Sequence, residues 1–237
     1  MINAIDTTPY QAFADKYLGG AFDNIEILVT AFTHRSYLNE HKSTVSAHNE
    51  RLEFLGDAVL ELVVTEYLYG QFSEPEGILT NWRAALVRTE SIGAASGRLG
   101  IEPLLRLSRG EKRGSERGRQ QILANAFEAV TGALYTEKGY DAAKVFITEN
   151  ILSTLPAILD SGSWRDAKSH LQEVAQSIDN QTPQYKVMEE VGPDHDKIFT
   201  LGVYINGKPI GHGQGSSKQA AQQIAAKDAL ENHYKKV

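Results

Sequence analysis

The 237-residue sequence contains no cysteine, which excludes disulfide bonds, cysteine-based zinc sites and cysteine nucleophiles. It has no apolar run that approaches the length of a membrane span. Its N-terminal segment has neither the basic nor the apolar region of a signal peptide. We therefore expect a soluble, cytoplasmic protein with no membrane partner.

An excess of positive charge is also lacking, because 24 basic and 30 acidic residues leave a net charge of −6. This balance alone argues against a nucleic-acid partner. Residues 164–237, however, contain nine basic and nine acidic residues, so the whole net charge lies in the first 163 residues. The acid concentrated there forms either a solvated face or a cation site.

Apolar residues spaced at i, i+3 and i+4 predict that residues 1–158 form one helical domain. The segment Ser108–Gln120 is basic and contains glycine, which predicts a mobile loop between helices. The predicted helices are Tyr10–Leu18, Ile25–Thr33, Glu50–Tyr69, Asn81–Leu99, Gln121–Thr136 and Ala142–Leu155.

Small polar residues at 159–164 predict a short linker, after which the hydrophobic period changes. Residues 165–237 are predicted to fold as a small α-β-β-β-α domain. Its first helix is Asp166–Ser177, with Asp166 as N-cap, and its last helix is Ser217–Tyr234. Asn206-Gly207 predicts a tight hairpin between the second and third strands.

Four acids, Glu50, Glu53, Asp57 and Glu61, follow one another at helical spacing in an otherwise apolar segment. They span an arc of roughly 80° on a helix. Carboxylates beside apolar surface repel one another unless they bind something, and a divalent cation with oxygen ligands resolves that cost. The alternative is an ordinary solvated face.

A second apolar helix offers oxygen ligands as well, since Asn125 and Glu128 lie one turn apart in LANAFEAVTGALY. A further acid, Glu76, precedes the helix that contains Trp82. Two helices that present oxygen atoms to each other are a common way to build a metal site in a helical core. The two segments together favour the cation site over the solvated face.

These motifs resemble those of the ribonuclease III family. HNERLEFLGDAVLE is similar to the family signature, LANAFEAVTGALY to its second acidic motif and AFTHRSYLNEH to its N-terminal motif. Residues 166–237 resemble the double-stranded-RNA-binding domain that follows the nuclease domain in bacterial members. The resemblance implies a mainly α protein, with an all-helical endonuclease domain before the small α-β-β-β-α domain.

The implied activity is hydrolysis of double-stranded RNA to 5′-phosphate and 3′-hydroxyl ends, in the processing of ribosomal, messenger and other structured RNA. The implied magnesium ligands are Glu53, Asn125 and Glu128, with Mn²⁺ as a substitute and no small-molecule cofactor. Asp57 and Glu128 would be the catalytic residues, Asp57 by orienting the attacking water. Glu76 would play a supporting role, whereas salt bridging or exposure explains Glu50 and Glu61 equally well.

Asn125 departs from the family pattern, because the usual residue at this position is Asp. An amide oxygen still binds magnesium but carries no charge, so metal affinity should fall. The alternative to an enzyme is therefore a protein that binds double-stranded RNA with weakened or no cleavage.

The resemblance further implies a homodimer, with Phe54 and Leu55 as candidate contact residues, and binding of double-stranded RNA. Basic residues of the segment 109–119 either contact RNA or keep a loop solvated. Orphan N–H groups at a helix start, beside a lysine, suit phosphate binding. The implied RNA-binding residues are Gln172, Glu173, His195, Ser216, Ser217, Lys218, Gln219 and Gln222.

Overall fold

The computed structural model describes residues 5–42, 45–193 and 197–234. The chain divides into two compact units between Ser161 and Gly162, within the segment predicted to be a linker. The first unit consists of α-helices, with short 3₁₀ turns and one isolated bridge between Thr33 and Arg106, and the second combines helices with a three-stranded sheet. The predicted fold class, a mainly α protein with a helical domain before an α-β-β-β-α domain, is confirmed.

The first unit contains eight α-helices in the described residues. They are α1 (Thr8–Tyr17), α2 (Ile25–Ala31), α3 (Arg35–Glu40), α4 (Glu50–Gln71), α5 (Glu76–Val87), α6 (Thr89–Leu99), α7 (Glu116–Asn150) and α8 (Leu155–Ser161).

The predicted single helix Asn81–Leu99 is wrong, because the chain turns at Arg88 and forms α5 and α6 instead. Arg88 has an extended backbone (φ −69°, ψ 152°). The hydroxyl of Ser91 donates to the carbonyl of Ala85 at 2.8 Å, which satisfies an acceptor left free where α5 ends. A side-chain hydrogen bond therefore separates two segments that share one hydrophobic period.

The predicted loop Ser108–Gln120 is also partly wrong, because α7 begins at Glu116. The Ser115 side chain caps α7 by accepting from the N–H of Gly118 at 3.2 Å. Farther along, Gly139 adopts φ 79° and ψ −173°, which is not helical, so α7 consists of two helical segments joined at a kink. The predicted break between Gln121–Thr136 and Ala142–Leu155 is therefore confirmed, and the departure from the prediction is the early start at Glu116.

By length and composition, the segment Glu116–Ser161 is long and apolar enough to cross a membrane. No apolar run of that length is predicted from the sequence. Its apolar side chains instead form the centre of the first unit. Phe127 and Phe146 are fully buried and stack with ring centroids 5.0 Å apart. This is the pattern of a core helix.

The core of the first unit depends on the contact between α4 and α7, which two glycines permit. A Cβ atom at Gly56 would lie 1.7 Å from the carbonyl oxygen of Glu128. A Cβ atom at Gly132 would lie 2.2 Å from the carbonyl oxygen of Leu52. The two helix backbones therefore touch directly, and residues one turn away on each helix are held close together.

The second unit consists of α9 (Ala167–Asp179), β1 (Gln184–Val191), β2 (Ile198–Ile205), β3 (Lys208–Gly215), α10 (Lys218–Ala229) and a π-helical turn (Leu230–Tyr234). The strands form an antiparallel sheet in the order β1-β2-β3. The predicted N-cap is confirmed, since Asp166 accepts from Ser169 N–H at 2.7 Å. Asn206 and Gly207 adopt positive φ values of 50° and 77°, as the hairpin prediction requires.

Glycines at alternate positions of β3 allow the strand to lie directly on α10. A Cβ atom at Gly211, Gly213 or Gly215 would approach the α10 backbone to 2.7 Å or less. These glycines allow the sheet to pack closely on the helix. Packing therefore explains why this segment is rich in glycine.

Replacing Gly132 by alanine is expected to lower the free energy of unfolding by about 1–3 kcal/mol or more, because the new methyl group meets backbone that has no room to move. Gly70→Ala is the control, since Gly70 lies on the opposite helix of the pair, α4, and a Cβ atom there meets nothing within 4 Å. The control is expected to gain about 0.5–1 kcal/mol from helix propensity. Urea unfolding of both variants tests this, and an equal effect of the two substitutions would contradict the close helix contact.

Candidate active site

The contact between α4 and α7 brings together four of the predicted site residues. Glu53 and Asp57 flank Gly56 on α4, and Asn125 and Glu128 lie on the facing turns of α7. The Gly56 position faces the backbone carbonyl of Glu128 itself. Two carboxylates from one helix therefore meet one carboxylate and one amide from the other.

Burial and mutual repulsion shift the protonation of this acidic cluster, defined as Glu53, Asp57 and Glu128. Burial raises the pKa of Glu128 to about 8, and the charges of Asp57 and Glu53 act in the same direction. Burial also raises the pKa of Glu53, with further contributions from Glu50 and Asp57. The cluster thus holds more negative charge than its surroundings stabilise.

Asn125 lies between Gln121 on its own helix and the Glu53 carboxylate on α4. Its Oδ1 accepts from Gln121 Nε2 at 2.7 Å. Its amide is also close enough to Glu53 to oppose the rise in the pKa of that carboxyl.

The other two acids of the predicted stripe are paired elsewhere. Glu50 lies 3.3 Å from an Arg35 guanidinium nitrogen, and Glu61 lies 3.1 Å from Arg83 Nε. Both pairs are exposed enough to contribute little to stability. Their partners explain why these two carboxylates need no cation.

Glu76, the predicted supporting residue, lines a different feature from the residues of the α4–α7 contact. It is exposed at the start of α5. It lines a cavity of about 660 Å³ together with Tyr69, Phe72 and Arg83, and none of the four residues at the helix contact lines that cavity.

In the part of the chain that the structure describes, no three His, Asp or Glu side chains are preassembled to hold a metal ion. The oxygen donors converge from two helices, but side-chain rotations are needed to close them around one cation. The donor set of carboxylates and an amide is nevertheless the set that Mg²⁺ and Mn²⁺ prefer.

Most of the predicted RNA-binding residues lie on the two helices of the second unit. Ser217 caps α10, with its hydroxyl accepting from Ala220 N–H at 3.1 Å. The ammonium group of Lys218 lies 2.8 Å from a Glu190 carboxylate oxygen, so in this structure it is held by an exposed acid. The Gln222 amide accepts from Lys168 at 2.9 Å.

Gln172 and Glu173 are exposed on α9, Gln219 is exposed on α10, and Ser216 immediately precedes its N-cap. His195 lies outside the described residues. Sequence reasoning missed Lys168 as a neighbour of the α10 residues, and it missed Gln121 beside Asn125. The i, i+4 spacing of Gln121 and Asn125 was a readable signal for that pair.

A family model described as ribonuclease-III-like matches residues 24–155, and a model for the double-stranded RNA binding motif matches residues 167–233. Ribonuclease 3 of Streptococcus pneumoniae strain CGSP14 is 44% identical over 214 residues, which cover 89% of this chain and 90% of the relative. This chain belongs to the ribonuclease III family. The resemblance read from the sequence motifs is thereby confirmed.

The relationship to the ribonuclease III family extends to solved structures. A nuclease-domain structure of ribonuclease III from Campylobacter jejuni, described for flexibility in a region involved in dimer formation, superimposes with a TM-score of 0.52 at 36% identity. It covers 59% of this chain and 97% of that chain. A second structure of that nuclease domain, at 2.2 Å resolution, gives a TM-score of 0.53 at 34% identity, with 61% of this chain and 95% of that chain covered.

Replacing Glu128 by glutamine is expected to stabilise the metal-free protein at pH 8 but much less at pH 5. The fold raises the pKa of Glu128 from 4.5 to about 8, so folding favours the protonated form. Stability from this group is present below pH 4.5 and is lost as pH rises towards 8. Glutamine stays neutral and removes that loss, which we expect to be roughly 1–3 kcal/mol after allowance for partial exposure.

Thermal unfolding in a chelator at both pH values measures this effect. Glu61→Gln is the control, because its exposed pair with Arg83 should change stability by less than about 1 kcal/mol. A gain in the Glu128→Gln variant that is independent of pH would show that the raised pKa is not its cause.

Proposed function

We propose that this protein is an endoribonuclease that cleaves double-stranded RNA to 5′-phosphate and 3′-hydroxyl ends. The observation that carries the proposal is the acidic cluster, which the α4–α7 contact assembles inside the segment that matches the ribonuclease-III-like family. The match of the second unit to the double-stranded RNA binding motif supports the choice of substrate. Processing of ribosomal and messenger RNA in the cytoplasm is the corresponding cellular role.

The residues at the helix contact fit a divalent cation, with Mg²⁺ the proposed ion and Mn²⁺ a substitute. Glu53, Asn125 and Glu128 would hold it. Repulsion within the cluster supports this assignment, since a positive charge removes the penalty that raises the pKa of Glu128 and Glu53. When bound, such an ion lowers the pKa of water and offsets the charge that develops on the phosphate.

The side chains of the chain itself position the reacting groups for hydrolysis. In the proposed reaction a water oxygen attacks the phosphorus, the bond to the 3′ oxygen breaks, and that oxygen leaves with a proton. Asp57 accepts a hydrogen bond from the attacking water and orients it. The charge of Asp57 contributes to the raised pKa of Glu128, so the two carboxylates are close enough to act on the same water electrostatically.

The second unit supplies the proposed RNA contacts. The N–H groups of the first turn of α10 lie beside Lys218, which suits a phosphate of the RNA backbone. Because Lys218 pairs with Glu190 in the free protein, RNA must displace an exposed carboxylate to reach it. The balanced charge of residues 164–237 predicts fewer phosphate contacts than a strongly basic domain makes.

We further propose that the protein is a homodimer in which α4 contacts a second copy. Phe54 is 81% exposed and Leu62 is 57% exposed, and with Ala58 they form one apolar stripe at i, i+4 and i+8. Exposing such a stripe to water is unfavourable, and a self-complementary interface would bury the stripes of both copies against each other. The Campylobacter jejuni nuclease domain has a region described as involved in dimer formation, which supports a dimer for this chain as well.

Glu128→Gln is expected to lower cleavage of a labelled RNA duplex by about 10²–10³-fold in Mg²⁺, the range for loss of one group that stabilises a transition state. Binding of the same duplex, measured by gel shift in a chelator, should stay unchanged. Glu61→Gln is the control, because its carboxylate pairs with Arg83 and lies outside the cluster. Wild-type protein that binds the duplex but cleaves it at no Mg²⁺ or Mn²⁺ concentration would identify an RNA-binding protein rather than a nuclease.

Phe54→Ala is expected to raise the dimer dissociation constant at least about tenfold, because each copy of the side chain contributes roughly 1.5–3 kcal/mol when buried. Analytical ultracentrifugation at micromolar concentration measures the change. Val145→Ala is the control, since Val145 is an exposed apolar residue on α7 rather than on the α4 stripe. A monomeric wild-type protein, or equal dissociation constants for the two variants, would contradict the proposed interface.

A further inference from the structure

The first turn of α10 carries a single cation, and an acid on the sheet holds it. Lys218 is the first residue of α10, and the next basic residue of that helix is Lys227 in its last turn. The ammonium nitrogen of Lys218 lies 2.8 Å from a carboxylate oxygen of Glu190 on β1. The same nitrogen lies 5.4 Å from the centre of the Phe199 ring on β2. The cation proposed to meet an RNA phosphate is therefore already bound by a carboxylate and an aromatic ring.

The register of the sheet explains why Glu190 reaches the start of α10. Glu190 pairs with Phe199, which pairs in turn with Gly215 on β3. A Cβ atom at Gly215 would lie 2.7 Å from the backbone nitrogen of Ala221, so this end of the sheet lies against the first turn of α10. Residues directly opposite each other on antiparallel strands point to the same face. Glu190 therefore lies on the face that carries α10, whereas Glu189 lies on the opposite face.

The Glu190 carboxylate and an RNA phosphate are anions that compete for one ammonium group. The side chains of Lys218 and Glu190 are 56% and 36% exposed, so RNA can reach the pair. If a phosphate displaces the carboxylate, the ion pair is lost. If the carboxylate stays on another donor of the ammonium group, two anions lie side by side and repel each other. Both arrangements weaken the contact with RNA.

The carboxylate is charged under the conditions in which RNA binds. The hydrogen bond from Lys218 lowers the pKa of Glu190, and the charge of Lys197 acts in the same direction. Glu190 is therefore ionised at neutral pH.

We propose that Glu190 is an affinity-determining residue, which occupies the Lys218 ammonium group in the free protein and thereby weakens its contact with a phosphate of double-stranded RNA. The proposal rests on the RNA contacts proposed above and adds a residue that no sequence motif singled out. It differs from a purely structural role of the ion pair, which would leave RNA affinity unchanged.

Glu190→Gln tests the proposal, because glutamine keeps the size of the side chain and removes its charge. The variant is expected to bind double-stranded RNA about two- to fivefold more tightly than the wild type, which corresponds to release of one exposed ion pair. Fluorescence anisotropy measures the dissociation constant on the full chain, with a labelled RNA duplex of about 16 base pairs or more, in a chelator that prevents cleavage. The gain should shrink as salt rises, because exposed charges are screened.

Glu189→Gln is the matched control. It changes the net charge equally and lies one position away on the same strand. Its side chain is exposed on the opposite face of the sheet, beside Thr200 rather than Lys218. We expect it to change the dissociation constant by less than about 1.5-fold, since its charge is screened from the start of α10.

A second background separates competition for Lys218 from general repulsion. In a Lys218→Gln protein the ammonium group is absent, so Glu190→Gln should change the dissociation constant by less than about 1.5-fold. General repulsion between Glu190 and RNA would instead give the same gain in both backgrounds. The expected pattern is a gain that requires Lys218.

Equal RNA affinity of the wild type and Glu190→Gln would overturn the role of Glu190 while leaving the proposed RNA binding in place. An equal gain in Glu189→Gln, an equal gain without Lys218, or a gain that does not fall with salt would overturn it as well. Absence of duplex binding by the wild type and by every variant would instead overturn the proposed RNA contacts, and the role of Glu190 with them.

Discussion

The direct contact of the α4 and α7 backbones at Gly56 and Gly132 is the constraint on which the site depends. Any larger residue at either position would place a methyl group within 2.2 Å of a carbonyl oxygen on the other helix. The same approach that completes the core also brings carboxylates from two helices together. Packing and the proposed chemistry are therefore consequences of one contact, and neither can change without the other.

The acids of α4 are distinguished by their partners rather than by their spacing. Glu50 and Glu61 each meet an arginine. Glu53 and Asp57 face the other helix, where Glu128 adds a third carboxylate, and burial together with mutual repulsion raises the pKa of Glu53 and Glu128. A periodic pattern identifies the acidic stripe of α4. The surroundings of each carboxylate decide whether it is paired with an arginine or is available to bind a cation.

The same division, between a periodic pattern and the surroundings of single side chains, separates what the sequence predicted from what it did not. Hydrophobic period predicted α4, the later strands and the order of elements in the second unit, because burial of one face dominates those segments. It failed where a single side chain decides, at the Ser91 hydroxyl that separates α5 from α6 and at the Ser115 cap that starts α7 early. For the site, motifs identified residues on both helices, whereas the backbone contact at Gly56 and Gly132 is visible only in the folded structure.

Asn125 affects both the metal-free and the metal-bound protein, because its amide carries no charge. An aspartate there would place a further carboxylate beside a site where burial and the charges of Asp57 and Glu53 already raise the pKa of Glu128 to about 8. The amide instead opposes the rise in the pKa of Glu53. An amide oxygen still binds a hard cation, but it adds no charge to the attraction. A neutral residue at this position therefore favours a stable metal-free fold at the expense of cation affinity.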